Sequence, residues 1–290
     1  RRVLFRSQLL IENVPSIRGL ATAYGLNYVP GPWLQSLQVS KGTASVLNGY
    51  ESVTGQINLE LKKPAHSERL YLNVFGNSRL RGEMNLNAAH RFNEHWSTGV
   101  LAHASHFNHM QDENKDGFID EPLTTQYNVL NRWAYESNGL HAQLGVNLLH
   151  EERNGGQEVY YDADETSGLY GIGIETQRFQ AFAKSGYPLQ RPATSIAATA
   201  TYSLHEQQSF YGNRTYDALQ HSLYAKTVFQ SYIGNTNYTY SAGLSYQYDQ
   251  YDQNLGNRQF NREEHVPGVF AEFTYKLPET VTLIAGLRSD

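Results

Sequence analysis

The sequence has 290 residues, of which 40% are hydrophobic and 18% are charged, so one or two folded domains are expected and disorder is not. The absence of cysteine excludes disulfides, thiolate zinc sites and cysteine nucleophiles, and the net charge of -5 argues against a nucleic-acid partner. No stretch approaches the ~20 consecutive apolar residues of a transmembrane helix, so any membrane-spanning part would have to consist of strands.

The N-terminal part of the chain contains short mixed segments separated by Gly, Pro and Asn, with no long regular alternation. Its opening run RRVLFRS, residues 1–7, resembles the translation of a sequencing-adapter tail, and we predict that it is not native protein. The sequence begins without Met, and we expect its natural start to lie further upstream. A separate small α+β domain is predicted over residues 8–64.

From residue 65 onwards, apolar and polar residues alternate along the chain. In residues 140–148, Leu, Ala and Val occupy one face and His, Gln, Gly and Asn the other. A period of two marks a β-strand with one apolar and one polar face. We count about eleven such segments after residue 66, many of about ten residues or more, against the ~5 to 6 residues usual for globular strands. The alternation is equally clear in residues 83–88, 195–204 and 238–247.

Long strands with a polar face suit an antiparallel transmembrane β-barrel, which we predict for residues 65–290. Short turns alternate with long polar loops, as in bacterial outer-membrane barrels. A soluble β-sandwich or lipocalin-like barrel is the alternative. The predicted short turns are 93–95, 138–139, 190–192, 234–235 and 278–279, and the predicted long loops lie near 110–124, 152–173 and 252–265. The rings predicted to form interfacial girdles at strand ends are Trp96, Tyr127, Trp133, Tyr135, Tyr187 and Tyr275.

Residues 34–64, LQSLQVSKGTASVLNGYESVTGQINLELKKP, carry a specific spacing of Lys, Gly, Ser and Asn. This run resembles the end of the plug domain of TonB-dependent receptors, where a K-G-x-x-S-x-x-x-G-x-x-x-x-x-G-x-I-N pattern closes on Lys-Pro. Upstream, ENVPSIRG at residues 12–19 lies where the family often has D-G-x-P, with Glu12-Asn13 in place of Asp-Gly. The matching residues are Val39, Lys41, Gly42, Ser45, Gly49, Gly55, Ile57, Asn58 and Pro64.

The resemblance implies the C-terminal part of a plug over residues 8–64, followed over residues 65–290 by about half of a ~22-stranded barrel, which is wide enough to leak without a plug. It implies uptake of a scarce large solute across the outer membrane of a Gram-negative bacterium, with a ferric siderophore or another metal complex such as cobalamin favoured. The implied partners are the lipid bilayer and TonB, whose inner-membrane complex uses the proton gradient to pull an N-terminal box. A glycan importer of the same architecture, a passive porin and a calcium-dependent surface adhesin are the alternatives.

The same resemblance places the ligand between the plug apex and the barrel loops. Arg18, Tyr24, Asn27 and Tyr28 lie in the part of the plug that we expect to form apical loops, so we predict that they contact the ligand. Packing of these side chains against the barrel wall is the alternative.

Three histidines follow one another closely in the run HASHFNHM. On a strand, His103 and His109 share one face whereas His106 points the other way, so the three cannot bind one metal ion together. We predict that His103 and His109 contact a metal-laden ligand, with ordinary polar lining of the lumen as the alternative.

The run QDENKDGFIDEP resembles an oxygen-ligand calcium loop. Asp112, Asn114, Asp116 and Asp120 surround Gly117 at the required spacing, but the twelfth position is a Leu without ligand oxygens. We predict a calcium site in an extracellular loop, with a solvated Asx-turn loop as the alternative. No other cofactor is required, and no catalytic motif stands in a suitable context, so the chain is not predicted to be an enzyme.

Overall fold

Two β-sheets make up most of the chain in the computed structural model. The structure describes residues 8–42, 45–51, 55–163, 168–277 and 280–290. The predicted non-native tail, residues 1–7, and the turn predicted at 278–279 lie outside the described residues. Within the described residues, no helix has the length and apolar character needed to cross a membrane.

In the part of the chain that the structure describes, the small sheet contains four strands in the order β2-β1-β4-β3, with β1 and β4 parallel and the other neighbours antiparallel. The central β4 is buried along most of its length, as expected of a strand covered on both faces. Gly or Pro lies within or beside each helical segment here, so these segments stop at single 3-10 turns. The strands are β1 (Gln8–Ile11), β2 (Val14–Ile17), β3 (Leu34–Lys41) and β4 (Gly55–Leu61), and the 3-10 turns are Gly19–Thr22, Gly31–Trp33, Val46–Asn48 and Pro64–His66.

Within the described residues, the large sheet contains eleven antiparallel strands in strict chain order, which confirms the number of alternating segments predicted from the sequence. The strands reach 20 residues in length. They are β5 (Leu70–Gly76), β6 (Gly82–Arg91), β7 (Trp96–Phe107), β8 (Leu123–Ser137), β9 (Leu140–Gly156), β10 (Gly171–Pro188), β11 (Ser195–Tyr211), β12 (Arg214–Tyr232), β13 (Tyr238–Leu255), β14 (Arg258–Leu277) and β15 (Val281–Ser289), and a short helix α1 (Val159–Asp162) lies between β9 and β10.

The predicted alternation gives the large sheet two chemically different faces. In β9, Leu144, Val146 and Leu148 are exposed, whereas Leu149 and Glu151 on the opposite face are buried. The buried face, called the inner face below, packs against the small sheet. The opposite, outer face is rich in exposed apolar side chains. Contact with lipid stabilises such a face, whereas contact with water does not.

Two apolar clusters join the small sheet to the inner face of the large one. Leu61 of the small sheet and Trp33 of the 3-10 turn before β3 pack against Leu101 and Leu130 of the large sheet. Ile17, Ala21 and Tyr28 pack in the same way against Leu149. Burial of each such side chain contributes ~1.5–3 kcal/mol. These clusters therefore stabilise the contact between the two sheets by apolar packing.

The connections at one end of the large sheet are short turns, as predicted for 93–95, 138–139, 190–192 and 234–235. At the other end, the loops between β7 and β8 and between β9 and β10 are long. The long loop predicted near 252–265 is wrong, because Leu255 pairs with Arg258 across a two-residue turn that begins at Gly256 with a φ of 56°. At this end β13 and β14 have polar residues on both faces, because the two strands continue beyond the apolar band. Backbone hydrogen bonds between the two strands keep them extended.

Aromatic rings cluster at the short-turn end of the large sheet. The rings of Phe92 and Trp133 stack with centroids 5.4 Å apart, and those of Trp96 and Tyr135 lie 4.8 Å apart. The rings of Tyr238 and Tyr275 stack at 4.9 Å, and Tyr187 lies near the same end of β10. Tyr127 is exposed towards the long-loop end. Amphipathic rings at this level suit a boundary between lipid and water.

Candidate functional site

The turn between β1 and β2 carries a carboxylate into the inner face of the large sheet. Glu12 and Asn13 have φ values of 51° and 62°, a left-handed conformation that costs a Glu about 1–3 kcal/mol. The Glu12 carboxylate lies 2.6 Å from Nη1 of Arg132 and 3.1 Å from Nζ of Lys184. These charge-assisted contacts offset the backbone strain, and the three side chains are called the Glu12 anchor below.

A second ion pair crosses the interface on another part of the large sheet. Arg18 donates from Nη1 to Oδ2 of Asp249 at 2.6 Å, and from Nε and Nη2 to Glu51 at 3.0 and 2.9 Å. The Asp249 side chain is 0% exposed and accepts further hydrogen bonds from Ser222 and Gln220. Arg18, Glu51 and Asp249 are called the Arg18 anchor. The guanidinium of Arg18 is engaged in this contact, and its predicted ligand contact stays a prediction.

The Lys-Gly-Ser run forms the end of the edge strand β3 and a contact with the large sheet. Lys41 ends β3, and Gly42 follows with a φ of 86°. Ser45 accepts a hydrogen bond from the backbone N of Leu47 at 3.2 Å and donates to Glu272 of the large sheet at 2.7 Å. These residues therefore shape the sheet and its docking.

The Gly-x-Ile-Asn end of the motif lies in the centre of the small sheet. Gly49 caps a 3-10 turn, Gly55 begins β4, and Ile57 pairs with both Leu9 and Val39. Asn58 is 0% exposed, and its Oδ1 accepts from the backbone N of Asn13 at 2.8 Å. Asn58 therefore holds the strained turn that carries Glu12 in place. The sequence motif alone does not predict this hydrogen bond.

Comparison with known proteins finds the same fold in solved structures of outer-membrane receptors. No family model matches the sequence, and no curated protein matches it. Solved structures do. A mutant of the ferric enterobactin receptor PfeA from Pseudomonas aeruginosa has a TM-score of 0.73 at 13% identity, covering 97% of this chain and 49% of that one. The chain has the fold of a TonB-dependent receptor.

Two further structures agree. The copper transporter OprC has a TM-score of 0.76 at 13% identity, covering 97% of this chain and 46% of that one. The pyoverdine receptor FpvA from Pseudomonas aeruginosa has a TM-score of 0.75 at 11% identity, covering 98% and 50%. The chain thus spans about half the length of the structures it matches. In this fold the small sheet belongs to the plug and the large sheet to the barrel wall.

Gly19, which follows Arg18, lies where the plug backbone touches the barrel wall. Its φ is 58°, and a Cβ there would overlap the amide of Gln220 and the hydroxyl of Tyr251. We expect Gly19→Ala to lower the free energy of plug unfolding by about 2 kcal/mol, through strain and overpacking. The urea midpoint of the plug in the full-length receptor measures this. Gly31→Ala is the control, because a Cβ at Gly31 meets nothing within 4 Å; equal losses would contradict the prediction.

The segment after Gly19 is the one predicted to form the plug apex. The carbonyl of Tyr28 accepts from Asn128 at 2.7 Å, and the ring of Tyr24 lies 4.5 Å from the guanidinium carbon of Arg153. Burial and the charge of Glu151 raise the pKa of Tyr28 to about 12, so this phenol is protonated at neutral pH. Asn27 has an exposed side chain. The predicted ligand contacts of Tyr24, Asn27 and Tyr28 stay predictions.

The two histidines predicted to share a strand face do not do so. His103 is buried on the inner face, where its Nδ1 lies 2.8 Å from Oδ1 of Asn85. His109 lies beyond the end of β7 at Phe107, because pairing with β8 stops there and the chain enters the long loop. His106 faces outward beside Thr125. The structure therefore does not bring His103 and His109 together on one strand.

The Asp-rich loop between β7 and β8 turns its carboxylates onto its own backbone. Asp112 accepts from the backbone N of Asp116 at 3.1 Å and of Gly117 at 2.8 Å, and Asp120 accepts from that of Glu113 at 2.8 Å. Asn114 donates to Asp116 at 3.0 Å. Nowhere in the described ranges do three or more His, Asp or Glu side chains converge to hold a metal ion. The calcium site stays a prediction.

Sequence reasoning missed the barrel side of both anchors. Arg132, Lys184 and Asp249 lie on inward-facing positions of long strands, among many other polar residues. A charged residue on the polar face of an alternating strand was the available signal. That signal marks a lumen-facing charge but does not identify its partner.

Proposed function

We propose that this chain is part of a TonB-dependent outer-membrane receptor that imports a scarce large solute. The observation that carries the proposal is a folded plug fixed by buried ion pairs to the polar inner face of a wall whose outer face is apolar. A passive porin needs an open lumen, whereas a plug held by contacts that can break and re-form suits a gated importer.

The proposed location is the outer membrane of a Gram-negative bacterium, with lipid against the outer face. The aromatic rings at the short-turn end and the exposed Leu and Val side chains of β9 support this location. The proposed partner is TonB with its inner-membrane energising complex. This partner is supported by the fold of the receptors named above.

The proposed solute is a metal complex, with a ferric siderophore favoured. The matching structures support this choice, because they are described as receptors for ferric enterobactin and pyoverdine and as a copper transporter. A glycan importer of the same architecture is the rival. The exposed Asn27 at the plug apex would serve a hydroxyl-rich ligand as readily as a metal complex.

The test is uptake by the full-length receptor in a receptor-deficient strain, with and without an uncoupler. The panel contains a ferric tris-catecholate, a ferric tris-hydroxamate and a neutral oligosaccharide. We expect iron uptake that the uncoupler abolishes and no uptake of the oligosaccharide. Gradient-dependent oligosaccharide uptake would favour the glycan importer, and leakage of small solutes that ignores the gradient would favour a porin.

A further inference from the structure

The outer face of the large sheet has a depression near its short-turn end. Ala242 and Ala271, which pair with each other across β13 and β14, form its floor. Larger side chains flank this floor, because Phe229 pairs with Ala242 and Leu287 pairs with Ala271. The depression has a volume of about 510 Å³, and most of its lining is apolar. Hydrocarbon therefore fills it more favourably than water does.

Two matching pairs of Tyr and His lie on the same face, closer to the long-loop end. The hydroxyl of Tyr202 lies 2.8 Å from Nδ1 of His221, and that of Tyr246 lies 2.8 Å from Nδ1 of His265. When Nδ1 accepts from a hydroxyl, Nε2 carries the ring proton and donates to a further oxygen. These four side chains, called the Tyr-His patch below, therefore present two ring donors above the depression.

The charges on the outer face are all negative or titratable. Within the described strands β5–β15, every Lys and Arg occupies an inward position of the alternation, whereas carboxylates such as Glu152 and Glu263 point outward. Glu263 lies beside the Tyr-His patch, where it accepts from the hydroxyl of Tyr248 at 2.7 Å. A polyanionic headgroup meets no fixed counter-charge here. A headgroup with a phosphate and an ammonium meets donors in the His rings and an acceptor in Glu263.

The distance between patch and depression matches the depth of one lipid leaflet. His265 and Ala271 lie on the same strand, ~20 Å apart at ~3.4 Å per residue. A strand tilted by ~40° descends ~15 Å over that length, which is half of the ~30 Å hydrocarbon thickness. A lipid whose headgroup lies at the patch therefore extends an acyl chain to the depression.

We propose that the outer face of β11–β14 retains one zwitterionic lipid in the leaflet next to the long loops. Its phosphate accepts from His221 and His265, its ammonium lies at Glu263, and an acyl chain fills the depression over Ala271. Contacts at both ends of one molecule slow its exchange compared with a lipid held by its chains alone. The site is independent of the imported solute.

The test is native mass spectrometry of the full-length receptor, released from micelles that contain equal amounts of phosphatidylethanolamine, phosphatidylglycerol and lipopolysaccharide. Ala271→Trp fills the depression. Ala102→Trp is its control, because Ala102 faces outward on β7 and does not line the depression. Heat-modifiable migration on a gel verifies that each variant is a folded barrel.

The headgroup contacts are tested with further variants in the same assay. His221→Phe combined with His265→Phe removes both donors and keeps the rings, and His106→Phe is the control, because His106 faces outward beside Thr125 on other strands. Glu263→Gln removes the carboxylate beside the patch. Glu152→Gln is the control for that change, since Glu152 also points outward but lies on β9.

We expect the unmodified receptor to retain phosphatidylethanolamine about fivefold more than either other lipid. Ala271→Trp and the double Phe variant should each lower this retention by about fivefold, because each removes one end of the contact. Glu263→Gln should abolish the preference for phosphatidylethanolamine over phosphatidylglycerol. The three control variants should retain lipid as the unmodified receptor does.

Three outcomes would overturn the proposal. Unchanged retention by Ala271→Trp, or equal loss with Ala102→Trp, would remove the depression from the site. Preferred retention of phosphatidylglycerol or lipopolysaccharide would exclude the zwitterionic headgroup. A folded, unmodified receptor that retains no lipid would exclude the site altogether. Failure of the proposed import function would instead appear in the uptake assay, which these variants leave untouched.

Discussion

Replacement of Glu12 by Gln is expected to loosen the plug by ~3–5 kcal/mol, the largest effect of any single substitution at this interface. Arg132 is 1% exposed, and the substitution leaves its guanidinium buried without a charged partner. Lys184 loses the same carboxylate. Gln fills the same volume as Glu, so the loss reports charge and not packing.

The urea midpoint of the plug in the detergent-solubilised full-length receptor measures this effect. Glu113→Gln is the matched control, because Glu113 forms an ion pair of 2.7 Å with Arg79 but both side chains are largely exposed. An exposed pair contributes ~0–1 kcal/mol. Equal losses for the two variants would show that burial of the Glu12 anchor adds nothing.

The pH dependence of the same contact has a definite sign. Burial raises the pKa of Glu12, but the charges of Arg132 and Lys184 outweigh burial and lower it below its ordinary value of 4.5. A carboxyl whose pKa is lowered on folding stabilises the plug fully above pH 4.5, and this stabilisation is lost as the pH falls through the lowered pKa. Glu12→Gln should therefore flatten the acid side of the stability profile.

Replacement of Asp249 by Asn is expected to weaken the other side of the plug by ~1.5–3 kcal/mol, because an Asn whose oxygen faces Ser222 and Gln220 turns its NH2 group towards Arg18 and the ion pair is lost. The effect is smaller than at Glu12, since Arg18 keeps its two contacts with Glu51. The Asn oxygen still accepts from Ser222 and Gln220, so the barrel strands themselves should not change.

Leakage of a small dye through the full-length receptor in lipid vesicles measures this second effect. Asp249→Asn should raise leakage, whereas Asp217→Asn should not, because Asp217 is an exposed carboxylate on the neighbouring strand β12. Combining Glu12→Gln with Asp249→Asn should give additive losses of stability if the anchors act independently. Unchanged leakage would mean that the Arg18 anchor does not hold the plug closed.

Much of the architecture followed from local pattern. A period of two fixes which residues share a face of a strand whatever the rest of the chain does, so the number of strands and their two faces were predictable. The resemblance of the Lys41 to Asn58 run to a plug domain implied a small domain before the long strands. The prediction of a long loop at 252–265 was wrong, because a polar sequence indicates contact with water and does not indicate that backbone pairing is absent.

The candidate site depended on contacts that no local pattern contains. Glu12 meets Arg132 across 120 residues of sequence, and Arg18 meets Asp249 across 231. His109 does not lie on the strand face predicted for it, because β7 ends at Phe107. The sequence by itself determined which charges face the lumen. Only the tertiary structure decided which of them pair, because pairing depends on how the small sheet docks against the wall, and that docking is set by packing between residues far apart in the chain.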